Sequence, residues 1–261
     1  MPRLPRPLPP AGALAAVLLT SVFAPSWGAD PPGDDKTAKT RALEAGARLL
    51  QRGAPLRGMD IYLNGFHPMK AQPGHHMEAH HFCRQVNEDF AQCVLFDGNG
   101  PEARLNGVEY IVSAKLFETL PEAERQYWHP HNGEILSGQL VAPGIPDAAE
   151  KALMKQKINS YGKTWHLWNT GPQGQGGDAL PLGEPMLAWS FNRDGELPQP
   201  MIAGRDQRLG IDSAAKRRQR ADLVPLARPQ AGVDALKGAF GRPTRDIAGV
   251  VDRKAASAPA R

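Results

Sequence analysis

The hydrophobic positions in the middle of the chain fall in short stretches rich in β-branched and aromatic residues. Such stretches predict strands, and they cover residues 59–67, 77–86, 90–97, 104–113, 135–142, 163–169 and 186–191. Runs of good helix formers predict helices over 37–52, 114–120, 121–128 and 147–160. In the first helix we expect Leu43, Ala47 and Leu50 to form a buried stripe. Helices inserted irregularly between strands indicate a single-domain α+β fold with a mainly antiparallel sheet and disordered termini.

A hairpin is the clearest local structure that the pattern predicts. Folding the chain symmetrically about Glu88 sets Val86 opposite Phe90 and Cys83 opposite Cys93. Cross-strand neighbours have Cβ atoms about 4.5–5.5 Å apart, which is close to the range of a disulfide. Because these are the only two cysteines of the chain, we predict that they form a disulfide bond.

The N-terminus has the parts of an export signal. Arg3 and Arg6 supply positive charge, an apolar run spans residues 11–24, and small residues follow it. The run is shorter than the about 20 residues of a membrane-spanning helix. We therefore expect a cleaved signal peptide over 1–29 and a linker over 30–36, with an uncleaved anchor as the alternative. The expected location of the mature protein is the periplasm or the extracellular space.

The formal net charge of +4 is unevenly distributed. From residue 205 onward there are 13 Lys and Arg against 6 Asp and Glu, so the basic charge belongs to the C-terminal part. The basic run at 216–220 has no aromatic residue on which bases could stack, which argues against nucleic-acid binding. Residues 225–261 contain few large apolar side chains, so we predict a low-complexity, disordered tail after a domain that spans 37–224.

All eight histidines lie between His67 and His166, and four of them fall within residues 75–81. Imidazole is the commonest metal ligand, but His76 and His80 on one strand would lie about 13 Å apart. A site must therefore combine distant segments, and it would accept zinc, iron, copper or manganese. The candidate ligands are His80, His81, His129, His131, His166 and Glu134. The alternative is that these histidines are hydrogen-bonded core and surface residues.

Other motifs exclude two common enzyme classes. No serine stands in the G-x-S-x-G turn of α/β-hydrolases. A phosphate-binding loop ending at residues 162–164 would need glycine at position 157, where Lys157 stands. Trp128, Trp165 and Trp168 are candidate walls of an aromatic-lined pocket, because two of them flank a histidine; packing in the core is the alternative.

An ordered series of sequence blocks resembles the oil-body-associated protein family, described from plants and also found in bacteria and fungi as a domain of unknown function. The blocks are EAHHFC (78–83), NEDFAQC (87–93), GVEYIVS (107–113), LPE (120–122), WHPH (128–131) and GKTWH (162–166). The resemblance covers about residues 37–224 and implies a relation to lipid, without implying catalytic residues. Its plant members lack an export signal and carry matching cysteines, so free thiols or metal ligation are the alternative to a disulfide.

Two classes of function are compatible with these observations. The first is an exported binding protein or lipid-surface-associated protein that resembles the oil-body-associated family. The second is a metal-dependent enzyme or metal-binding protein that uses the candidate histidines. An enzyme requires at least three of these side chains to converge on an accessible pocket with an open coordination position. A binding protein would instead present an exposed apolar patch or groove to a partner or a lipid surface.

Overall fold

The computed structural model describes residues 32–51, 54–171 and 176–256, so the predicted signal peptide lies outside the described residues. The strands are β1 Ile61–Met69, β2 Gln72–Asn87, β3 Phe90–Phe96, β4 Leu105–Val112, β5 His129–Pro130, β6 Tyr161–His166, β7 Met186–Leu187, β8 Arg193–Asp194 and β9 Arg245–Asp246. The first seven form one sheet in the order β1-β2-β3-β4-β6-β5, with β7 paired to β6, while β8 pairs with β9. Every strand pairing is antiparallel, so the predicted α+β fold is confirmed.

The helices are α1 Ala38–Leu50, α2 Ala114–Thr119, α3 Glu122–Arg125, α4 Asn132–Ser137, α5 Asp147–Lys157, α6 Gln199–Leu209, α7 Ser213–Gln219 and α8 Arg253–Ala256. Two short 3-10 helices cover Ala54–Gly58 and Ala221–Leu226. None of the helices within the described ranges has the length and apolar composition needed to cross a membrane.

The cysteine hairpin forms with the predicted pairing. Cys83 of β2 lies opposite Cys93 of β3, and the two residues form a disulfide. Nearer the turn the register shifts, so that Phe90 pairs with Asn87 rather than with Val86 as predicted. An extra residue in one strand of an antiparallel pair produces such a shift without disturbing the pairs farther along.

Residues 135–142 are not a strand, which corrects the prediction. Ile135 and Leu136 lie in α4 and are buried, and Gly138 ends the helix in the left-handed conformation at φ 82°. Only Val141 makes an isolated bridge, to Asn64 of β1. A short apolar run fits the interior of a strand or a helix equally well, and periodicity alone cannot distinguish the two. The predicted helix 121–128 and strand 186–191 also shrink to α3 and β7.

One face of the sheet carries the main hydrophobic core, here called the core face. It presents alternate residues of β1 to β4, including Ala79, Leu95 and Ile111. Helices α4 and α5 pack on it through buried side chains such as Ile135 and Met154. Because neighbouring residues of a strand point to opposite faces, the side chains two positions from these core residues also point toward α4 and α5.

The C-terminal segment is ordered as far as residue 256, which corrects the prediction of a disordered tail beginning at 225 for these residues. Val233, Ile247 and Val250 are buried in the same core as the sheet. Gln230 anchors the segment, since its side chain accepts from the backbone N–H of Asn132 and donates to a backbone carbonyl of the β6 edge. A few well-placed apolar residues and backbone hydrogen bonds are enough to order a segment whose average composition suggests disorder.

Helix α1 forms as predicted but does not bury the predicted stripe. Thr37 caps its N-terminus by accepting from the backbone N–H of Thr40. None of the helix residues is buried, and Leu43 and Leu50 are 65% and 81% exposed. The apolar stripe therefore has no partner among the described residues.

Candidate metal centre

Two rows of residues that cross the sheet bring polar side chains onto the core face. In one row Glu109 of β4 lies between Cys93 and Thr164. The neighbouring row carries His81 of β2 at one side and His166 of β6 at the other. All four polar side chains are at least 96% buried. The strand pairing thus gathers histidines and a carboxylate that are up to 85 positions apart in the sequence.

A second set of side chains approaches the core face from β5 and α4. His129 pairs with Gly162 of β6, and His131 donates its backbone N–H to the carbonyl of Ser160. His131 occupies the N-cap position of α4, and Glu134 lies in the first turn of that helix. Residues three apart at the start of a helix lie on the same side, so Glu134 and His131 face the sheet together.

The Glu109 carboxylate is the centre of this arrangement. Its Oε2 lies 2.8 Å from Nε2 of His81, and its Oε1 lies 3.2 Å from Nε2 of His131. Nε2 of His129 lies 3.6 Å from the same Oε1. Three imidazole rings, one from β2 and two from the segment 129–131, therefore surround one buried carboxylate.

His67 of β1 connects the residues around Glu109 to His166 of β6. Its Nδ1 lies 3.1 Å from Nε2 of His166, close enough for one ring to donate to the other. Its ring centroid is 5.1 Å from that of His81 and 5.6 Å from that of His129. Five histidines and two glutamates form one contiguous group, a candidate metal centre that is called the metal centre below: His67, His81, Glu109, His129, His131, Glu134 and His166.

Gly162 leaves the space into which three of these side chains converge. A Cβ atom placed on Gly162 would lie 2.6 Å from Nε2 of His131 and 2.7 Å from Cε1 of His129, and still closer to Oε1 of Glu109. Real Cβ atoms do not approach other atoms this closely, so only glycine is compatible with the arrangement.

Burial and neighbouring charges control protonation in the metal centre. Burial lowers the pKa of His129 and of His166 to about 3, and it lowers the pKa of His67 well below the ordinary value. These three rings are therefore neutral near pH 7, which is the form that binds a metal ion.

The two carboxyl groups of the centre respond to burial in opposite ways. Burial raises the pKa of Glu109, but hydrogen bonds from His131 and His81 outweigh it, and the pKa lies well below the ordinary range. Burial, reinforced by the negative charge of Glu109, raises the pKa of Glu134 well above its ordinary value. Glu109 is therefore a stable anion, whereas an ionised Glu134 needs a compensating cation.

Several buried polar atoms in the centre lack a hydrogen-bond partner among the described residues. They include both ring nitrogens of His129, which is fully buried, and the hydroxyl oxygen of Thr164. Buried polar atoms are almost always paired, and an unpaired one costs about 1–3 kcal/mol. A metal ion bound by His129 would remove part of this cost.

Two groups of side chains have the spacing of metal ligands. One consists of His67, Glu109 and His129, and the other consists of His129, His131 and Glu134. Within each group the ligand atoms lie within 4.8 Å of one another, and every residue is buried. Imidazole and carboxylate ligands suit zinc, iron, manganese or copper.

The structure brings together five of the six candidate ligands from the sequence: His81, His129, His131, His166 and Glu134. His80 points to the opposite face of the sheet. There its Nδ1 lies 2.7 Å from the hydroxyl of Tyr62, and its Nε2 lies 3.2 Å from a carboxylate oxygen of Glu78. Neighbouring residues on a strand face opposite sides, so His80 and His81 cannot both enter one centre.

The three candidate pocket tryptophans lie away from the histidine cluster. Trp128 packs with a separate hydrophobic cluster and donates to Glu124, and Trp168 donates to the carbonyl of Asp178. Trp165 alternates with His166 and so lies on the opposite face of β6. A different tryptophan, Trp189, has its ring centroid 6.1 Å from that of His129.

Sequence reasoning missed two members of the centre, His67 and Glu109. Glu109 had a detectable signal, because it is a carboxylate flanked directly by Val108 and Tyr110 within a predicted strand. A charged residue at a position that the strand pattern assigns to the interior usually has a partner. His67 stands at the end of a predicted strand, and no local pattern identified it.

Comparison with known proteins places the chain in a family. Residues 53–224 match the family described as "Protein of unknown function (DUF1264)". Oil body-associated protein 1A of Zea mays is 38% identical over 226 residues, covering 87% of this chain and 92% of the relative. Oil body-associated protein 1B of Arabidopsis thaliana is 36% identical, covering 81% and 85%. No solved structure matches the chain. The chain belongs to the family of oil body-associated proteins, a family whose biochemical function is unknown.

Proposed function

We propose that the protein binds a transition-metal ion at the metal centre. The observation that carries the proposal is the fully buried imidazole of His129, which has no hydrogen-bond partner among the described residues and lies 3.6 Å from the Glu109 carboxylate. A hydrophobic side chain would fill the same space without leaving two nitrogens unpaired. A cation between these groups accounts for the presence of a histidine there.

The hydrogen bonds of His131 support the same proposal. The hydroxyl of Ser160 donates to the carbonyl of Lys157 at 2.7 Å, so it can only accept from Nδ1–H of His131, 2.8 Å away. Because Nδ1 carries the proton given to Ser160, Nε2 faces the Glu109 carboxylate at 3.2 Å and attracts it only when Nε2 itself holds a second proton or a metal ion. The second proton makes the hydrogen bond to Glu109 in the metal-free protein, and a bound metal ion would replace it. Ser160 thus orients His131 as a ligand.

The burial of the centre favours metal binding without turnover. Each of its seven side chains belongs to a residue that is at most 4% exposed. A catalytic metal needs a coordination position that substrate can reach, whereas a metal that is only held needs none. The metal-dependent enzyme is therefore the less supported of the two metal hypotheses.

Elemental analysis of the purified protein tests the proposal. We expect about one or more transition-metal ions per chain, and metal added to the stripped protein should raise its Tm by about 5–10 °C at saturating concentration. Glu109→Gln should lose the ion and the thermal shift. Glu88→Gln, on the exposed turn of the cysteine hairpin, is the matched control and should retain both. Metal below about 0.1 ion per chain, with no thermal shift for zinc, manganese, iron or copper, would refute metal binding.

Association with a lipid surface is a second candidate function, supported by helix α1. Its leucines at 43, 49 and 50 are 65–81% exposed, and its three basic residues outnumber its one acidic residue. An amphipathic basic helix binds an anionic lipid surface through apolar burial and charge attraction. The names of the relatives, which describe association with oil bodies, support the same class of surface.

Vesicle flotation tests this second candidate. We expect the full chain to float with phosphatidylglycerol vesicles and less with neutral ones, because basic residues prefer anionic headgroups. Replacing Leu43, Leu49 and Leu50 by serine should abolish flotation. Leu182→Ser is the control, because Leu182 is as exposed as Leu43 but lies elsewhere. Equal flotation of both variants would rule out α1 as the lipid-binding element.

Export is part of the proposal. The Cys83–Cys93 disulfide supports it, because disulfides persist in oxidising compartments outside the cytosol. We expect the mass of the protein recovered from its native host to correspond to a chain that begins at residue 29 or 30. A full-length mass in the cytosolic fraction would contradict export.

A further inference from the structure

The two ligand groups of the metal centre share one residue, His129. One group adds His67 and Glu109 to it, and the other adds His131 and Glu134. A ring nitrogen has a single lone pair and binds one metal ion at a time. The two groups are therefore either alternative ligand sets for one ion, or they hold two ions that use different nitrogens of His129.

The surroundings of His129 favour two ions. With one ion, only one of its nitrogens is coordinated, and the other remains buried without a hydrogen-bond partner among the described residues. A ligating histidine almost always donates its second N–H to a carboxylate, a carbonyl or water, which fixes the ring. His131 follows that rule through Ser160, but His129 has no such acceptor. The missing acceptor is explained if a second ion takes its place.

We propose that the centre holds two metal ions bridged by the ring of His129. Nε2, the nitrogen that lies 3.6 Å from Glu109, serves the ion held by Glu109 and His67. Nδ1 then serves the ion held by His131 and Glu134. This inference rests on the proposed function, since it adds a second ion to the first.

The ligands supply most of the negative charge that two divalent ions require. Binding of the second ion displaces the remaining ring proton of His129 to solvent, which leaves an imidazolate with one negative charge. With the carboxylates of Glu109 and Glu134, the centre then carries three negative charges against the four positive charges of two divalent ions, which leaves a net charge of +1. Glu134, which is costly to ionise beside Glu109 alone, becomes a normal carboxylate ligand when an ion lies next to it.

Copper serves as the probe, because two Cu(II) ions joined by an imidazolate are magnetically coupled. The metal-free protein is loaded with Cu(II), freed of excess ion on a desalting column, and examined for copper content and EPR spin count. We expect about two copper ions per chain and a spin count well below the copper content. Glu134→Gln should reduce the content to about one ion and restore a spin count equal to it.

The outcomes separate this inference from the proposed function. His67→Gln tests the other half of the centre, and it should likewise leave about one ion with full spin intensity. About one ion in the wild-type chain, with spin equal to copper, would overturn the two-ion centre and leave single-ion binding intact. Absence of retained copper would overturn both. Circular dichroism of each variant shows whether a loss of copper reflects loss of the fold.

Discussion

Replacing Gly162 by alanine is expected to weaken metal binding strongly. The added Cβ would lie 2.6 Å from Nε2 of His131 and 2.7 Å from Cε1 of His129, so at least one of these rings must move away from Glu109. Disturbing the orientation of a ligand typically weakens metal affinity by about 10- to 100-fold. The overpacking itself should lower the free energy of unfolding by about 1–3 kcal/mol. Isothermal titration with zinc and urea unfolding measure the two effects.

Gly74→Ala is the control for this experiment. Gly74 also lies in a strand of the sheet, in β2, but a Cβ placed on it meets no atom within 4 Å. The control should therefore keep both metal affinity and stability. Unchanged zinc affinity in Gly162→Ala would show that the ion, if any, binds elsewhere.

The metal-free protein is expected to lose stability steeply as the pH falls from about 6.5 to 3. Burial lowers the folded-state pKa of His129 and of His166 from 6.5 to about 3. In this window the unfolded chain binds protons at these rings and the folded chain does not, so acid favours unfolding. The stabilisation is fully present above pH 6.5 and is lost by pH 3. Each ring contributes a slope of about 1 kcal/mol per pH unit.

Glu134 acts in the opposite direction, because its raised pKa makes its contribution complete below pH 4.5 and lost as the pH rises toward the folded value. Above pH 4.5, Glu134 cancels the pH dependence of stability that about one of the histidines contributes. His67, whose pKa is also lowered, adds to the loss of stability in acid. Urea unfolding at pH 5.0 and 7.5 measures the net slope. His166→Gln should reduce the slope, because the substitution removes one of the rings whose pKa burial lowers. A wild-type slope near zero would contradict the proposed protonation states.

The sheet could be predicted from the sequence because its determinants are local. Stretches rich in β-branched and aromatic residues located β1 to β4, and the symmetry of the turn about Glu88 indicated the pairing of Cys83 with Cys93. Helix α4 could not be predicted, because Ile135 and Leu136 suit a buried strand as well as a buried helix, and packing on the core face decides between them. The ordered C-terminal segment was missed for a similar reason: its stability comes from contacts with distant residues.

The metal centre could be predicted only in part for the same physical reason. The residue type and its clustering along the chain identified His81, His129, His131 and His166. They did not identify the rows of paired strand residues that bring these side chains together. Neighbouring residues of β2 point to opposite faces of the sheet, and the sequence does not show which of them face the core. The fold decides that His81 enters the centre and His80 does not. Glu109 joins all the segments, and its role depends on which strands are neighbours, a long-range property that no local pattern contains.

The position of the disulfide has a consequence for errors in folding. Cys93 lies directly opposite Glu109, and Cys83 follows His81 by two residues on the same face of β2. A slip of one residue between β2 and β3 would turn every side chain of one strand to the other face. His80 would then exchange places with His81, and the cysteines could no longer meet. Oxidation of the two thiols therefore selects, among the possible alignments of this hairpin, the one in which His81 and the other candidate metal ligands face inward.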